Sequence, residues 1–101
     1  MQIELKFITD NDVVNGVFEV PEIVNRIADY SFHHCKAVKK VVIRNPKTYI
    51  NPFAFNCCEN LKEIVMPVEL IKSNEGKRFM AQYKITELGK EKKLDDGRGG
   101  M

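Results

Sequence analysis

The sequence is short of several things that would point to a function. It has no tryptophan, three cysteines and a formal net charge of only +2. Each shortage excludes something. An odd number of cysteines fits poorly with a disulfide framework. So small a net charge gives no bulk attraction to nucleic acid or to a membrane surface. A membrane-spanning helix needs about 18 consecutive apolar residues, and no stretch approaches that. The segment Met1-Gln-Ile-Glu-Leu-Lys-Phe7 alternates polar and apolar residues where a secretory leader would carry an apolar block. Together these set the expectation of a reduced, cytoplasmic protein, secreted or surface-exposed only where an export signal lies outside this sequence. No glycine-rich phosphate loop, acid/base pair or nucleophile triad is recognisable. No catalytic residue, cofactor or resident metal is therefore expected.

What the chain does have is repetition. Ile27, Phe32, Cys35, Val38, Val41 and Ile43 recur as Ile50, Phe55, Cys58, Leu61, Ile64 and Met66 without a gap. Every pair shares the spacing from Cys35 to Cys58, which is 23 residues. A period in the twenties ending in Leu/Val-x-x-Val/Ile-x-Ile/Met means stacked coils, none of which buries its apolar face alone. With 101 residues the chain makes one domain. Counting back one period puts Phe18 in the place of Val41 and Val20 in that of Ile43. Residues 16–67 are thus the repeats, and residues 1–15 form the cap that a solenoid end requires. Within that cap, Ile3, Leu5 and Phe7 fall on one face of a strand over residues 2–8. Ile27–Phe32 and Ile50–Phe55 read as short turns that bring Phe32 and Phe55 together in the interior. Val38-x-x-Val41-x-Ile43 then supplies the inward face of a short parallel strand. After Pro67 the period decays: Asn74–Lys77 reads as a loop, Phe79 falls one residue late, and Tyr83–Ile85 reads as a closing strand. Residues 68–88 are expected to be a degenerate coil and residues 89–101 a flexible tail, too polar to order itself.

The pattern Val20-Pro-x-x-Val24-x-x-Ile27-x-x-x-Ser-Phe32-x-x-Cys35-x-x-Val38-x-x-Val41-x-Ile43 resembles the BspA-like leucine-rich repeats. Its successor, with Ala54-Phe55-x-x-Cys58-x-x-Leu61, resembles them more closely still. The resemblance covers roughly residues 17–70. It implies an α/β-type repeat solenoid, right-handed and built from short parallel strands, used for protein binding rather than catalysis.

Three groups of residues are candidates for function. The first is the strand face opposite the core. In register, Val17, Lys40 and Glu63 form one row and Glu19, Val42 and Val65 a second, with Arg44 beyond them. Adjacent exposed valines there would suit an unidentified protein partner. The second is a basic edge, Lys36, Lys39, Lys40, Arg44 and Lys47. With Tyr49 and Phe53 for stacking, it is the route to a nucleic-acid partner, the lesser expectation. The third is His33-His34 with Cys35, Cys57 and Cys58, which hold the right atom types for zinc. Buried cysteine acting as a small hydrophobe is the better reading of Cys35 and Cys58. Because two full coils are fewer than the roughly three a solenoid needs, self-association through the C-terminal coil is a further expectation.

Overall fold

The structure, a computed structural model, describes residues 2–90. Its strands are β1 (Glu4–Leu5), β2 (Val17–Glu19), β3 (Arg26–Ile27), β4 (Lys40–Val42), β5 (Tyr49–Ile50), β6 (Glu63–Met66) and β7 (Lys84–Glu87). Two short helices, α1 (Val68–Ile71) and α2 (Asn74–Phe79), separate β6 from β7. All the strand pairings are parallel, in two sheets ordered β1-β3-β5 and β2-β4-β6-β7. Each of the first three turns of the chain contributes one strand to each sheet, and the last contributes only β7, to the larger one; this is the geometry of a small repeat solenoid.

The register is the one the sequence spacing dictates. Val41 faces Ile64 and Ile27 faces Ile50, each pair one full period apart. Between the sheets Phe32 and Phe55 pack with ring centroids 5.2 Å apart, and the column continues to Phe18 at 5.5 Å and Phe79 at 5.4 Å. Val38, Val41, Ile43, Ile64 and Met66 close the same core and are wholly buried. Buried polar groups find partners between and within coils: Asn51 donates to the Ile27 carbonyl one coil back, Thr48 to the Asn45 carbonyl of its own turn, and the Ser31 hydroxyl lies within bonding distance of the Ala28 and Leu5 carbonyls. A buried amide left without such a partner would cost on the order of 1–3 kcal/mol.

Several expectations need correction. The Ile27 and Ile50 segments, read as turns, begin with two-residue strands and build a second sheet. The N-terminal cap belongs to that sheet, with Leu5 opposite Ile27 and the Glu4 carboxylate bonded to Arg26. It is therefore a coil itself, one residue shorter than the repeat. Its strand stops at Leu5 because the chain then turns, with Ile8 N–H bonded to the Ser31 carbonyl. This ends the alternation, so Ile8 is buried and Phe7, expected on one face with Ile3 and Leu5, is 83 % exposed. At the other end, residues 74–77 lie in helix α2 and not in a loop. Ser73 caps it by accepting from Gly76 N–H, as a serine at that position does. A Cβ on Gly76 would run into the backbone carbonyls of Leu70 and Ile71, so α1 and α2 meet there only because the side chain is missing. The helix pair shortens the last coil, since Ile64 faces Ile85, two residues short of a full period. Of the expected tail, residues 91–101 lie outside the described residues; Gly89 and Lys90 form a turn in which Lys90 N–H bonds the Glu87 carbonyl.

Candidate interaction surface

The outward face of the β2-β4-β6-β7 sheet carries the rows expected of it. Val17, Lys40, Glu63 and Lys84 are in register, and so are Glu19, Val42, Val65 and Thr86. The two central valines, however, are not exposed. Val42 is 3 % and Val65 0 % accessible, although both lie outside the core cluster. Two bonds between neighbouring strands flank them. Arg44 reaches back to Glu19 at 3.0 Å on one side, and Thr86 donates to Glu63 on the other. Strand parity gave the correct side of the sheet but not what lies over it. What this face offers a partner is therefore polar: Glu19 and Arg44 are exposed, while Val17, Lys40 and Glu63 are half-buried.

The basic edge does not form one patch. Arg44 is committed to Glu19, and Lys47 sits in the turn after β4 with its N–H bonded to Asn45 Oδ1. Tyr49 belongs to β5 in the other sheet, its ring under the Arg26 guanidinium at 5.0 Å. The lysines instead continue along the solenoid, since Lys62 N–H bonds the Lys39 carbonyl one coil back.

The cysteine and histidine cluster separates into two layers. His34 and Cys57 stack at one corner, with His34 N–H bonded to the Cys57 carbonyl, and both backbones are left-handed at φ 61°. Their side chains are exposed, whereas Cys35 and Cys58 turn into the core. Burial, with the neighbouring Cys35 adding to it, pushes the Cys58 thiol up to about 12. Burial and a bond to Asp10 raise Cys35 as well. Asp10 is held below its usual range, first by the Ala37 N–H at 2.9 Å and then by that thiol. Among the described residues no three histidine, cysteine, aspartate or glutamate side chains converge on a metal position.

Sequence reasoning missed the most apolar feature of the surface. Tyr30 and Phe53 stand one repeat apart at the same corner of successive coils and are 47 and 54 % exposed, and Phe7, in the shorter N-terminal coil, is 83 % exposed. Tyr30 and Phe53 are tied through Tyr30 N–H to the Phe53 carbonyl, and their rings stack at 6.2 Å, 9° from parallel. His33 packs edge-on against Tyr30. Beyond Phe53 the stripe opens into a cleft lined by Pro52, Asn56, Cys57, Gln82 and Tyr83. The signal was present in the register of the repeat, but apolar side chains in a repeat are naturally assigned to the core.

No described helix is long and apolar enough to cross a membrane. A family model described as BspA type leucine-rich repeat region (6 copies) matches residues 15–96. No curated protein and no solved structure matches the chain.

Proposed function

This chain belongs to the BspA-type leucine-rich-repeat family, and from that premise we propose that it is a non-enzymatic module that binds a protein partner. Domains of this kind generally serve interaction and are typically non-enzymatic. The observation that carries the reading is the exposed stack of Tyr30 on Phe53, with Phe7 exposed in the preceding coil, three large side chains left in solvent. Rigid exposed aromatics of this sort dominate binding energy when a partner desolvates them. The polar strand face, Glu19, Lys40, Arg44 and Glu63 over the floor of Val17, Val42 and Val65, would flank such a contact and tune its selectivity. Three free thiols suit a reducing compartment.

Affinity capture from the source cell, read by mass spectrometry, tests this with three baits. The unaltered chain is expected to enrich a protein that a Phe7→Ser/Tyr30→Ser/Phe53→Ser bait loses. A Lys40→Glu/Arg44→Glu bait should retain it with reduced recovery. Capture that survives loss of the three rings refutes the aromatic stripe as the contact. The strand face becomes the contact if the second bait alone fails.

A further inference from the structure

The two ends of the β2-β4-β6-β7 sheet are finished differently. At β2 the chain folds back on itself: Val14 N–H bonds the Val17 carbonyl at 3.0 Å, and Val17 N–H bonds that of Val14 at 2.9 Å. That bridge occupies the edge at Val17. At β7 the pairing to β6 uses Lys84, Thr86 and Leu88, with Lys84 N–H bonded to Lys62 and Leu88 N–H to Met66. The alternation of a parallel ladder turns Ile85 and Glu87 the other way. Among the described residues no strand lies on that side of β7. The Glu87 carbonyl is taken by Lys90 N–H. Among the described residues, what remains without a partner is the Ile85 N–H and carbonyl, the Glu87 N–H and the Tyr83 carbonyl. Beside them Tyr83 and Ile85 are only half-buried against the core, and Met80 is 50 % exposed.

We propose that the free edge of β7 pairs antiparallel with the β7 of a second copy of this chain, about a two-fold axis through Ile85. In that register each Ile85 N–H donates to the other copy's Ile85 carbonyl, and each Glu87 N–H donates to the other copy's Tyr83 carbonyl. Every free group at the edge is used, and the Glu87 carbonyl, already bonded, is not needed. Moving the axis to Thr86 would direct Ile85 N–H at that occupied carbonyl. Opposed residues in an antiparallel pair share a face, so Ile85 meets Ile85 on the core side and Lys84 meets Thr86 on the outer side. A head-to-tail array would need the edge of β2, which the Val14 bridge occupies at Val17; the two-fold arrangement closes after one partner. It also gives the last coil the stacking neighbour that it lacks. Edge pairing of this kind is a recognised mode of strand addition.

The test combines sedimentation equilibrium of the full chain over a wide concentration series with residue-resolved amide exchange. The mass is expected to rise toward that of a dimer, and exchange at Ile85 and Glu87 to slow in step, while Thr86, already bonded within the sheet, is unaffected. Glu87→Pro removes an N–H that points away from β6, at an edge position where proline is tolerated. That variant should keep the thermal transition and circular dichroism of the unaltered chain but stay monomeric. A mass that stays monomeric throughout overturns the proposal. So does a dimer that persists in Glu87→Pro, or protection of Ile85 and Glu87 that does not depend on concentration, which would mean the edge is covered within one chain.

Discussion

Phe55 has ring neighbours on both sides, Phe32 at 5.2 Å and Phe79 at 5.4 Å, and is 3 % exposed. Truncation there leaves a cavity bounded by two coils that cannot close independently. Phe55→Ala is expected to cost about 3–5 kcal/mol, read from denaturant midpoints at constant slope. The cysteines divide by the same logic. Reaction with a thiol reagent needs thiolate and access, so at mildly alkaline pH Cys57 should be modified in the folded chain. Cys35 and Cys58 should follow only on unfolding, as mass spectrometry of the alkylated peptides would read. The shift at Cys58 also fixes a pH dependence. Its thiol titrates at about 12 when folded, against a usual 9.0, so the unfolded chain releases its proton first. That contribution to stability is fully present below about pH 9 and is lost as pH rises toward 12, the reverse of a carboxylate effect. Cys35→Ser/Cys58→Ser should flatten the decline in melts across that range. The spacing made these burials legible in the sequence, since Cys35 and Cys58 take the same place in two coils. The exposure of Phe7 was not legible. Period-2 alternation assumes that the strand continues, and the Ile8 to Ser31 bond that ends it spans two coils.

Strands this short owe their placement to their neighbours rather than to propensity. Parity along β4 and β6 put Val42 and Val65 opposite the core, which is correct, yet both are buried, flanked by the Arg44–Glu19 pair and the Thr86–Glu63 bond. Those bonds join neighbouring coils, and which of several charged side chains crosses which row is invisible in a linear pattern. Val65→Asp therefore buries an unpaired carboxylate and should destabilise by at least about 3 kcal/mol. Lys40→Ala, on the same face but half exposed, should stay within about 0.5 kcal/mol. Comparing the two by thermal melts separates a covered floor from an open binding face. The final coil offers a second check. Gly76 was read as part of a loop because glycine usually interrupts helices, whereas here it lets α2 approach the carbonyls of α1. Gly76→Ala would gain helix propensity in an open site but should lower stability here.

At the scale of the whole molecule, the period set the architecture because stacking is the one arrangement that buries matching residues of successive coils together. The spacing was legible where it held constant. It became obscure where the coil shortens, by one residue at the N-terminus and by two at the last coil. One core therefore runs through four strands of the larger sheet, from Phe18 to Phe79. The surface features, the Tyr30–Phe53 stack at one corner and β7 at the end, are held in place by that core. Each coil contacts only its neighbours, so cooperativity depends on the continuity of the aromatic column. Differential scanning calorimetry of the unaltered chain beside Phe18→Ala and Phe79→Ala, one at each end, tests that continuity most directly. A single transition is expected, with calorimetric and van't Hoff enthalpies equal, and both variants should shift it as a whole. Two resolved transitions, or an end variant that melts its own coil and leaves the rest in place, would contradict a single shared core.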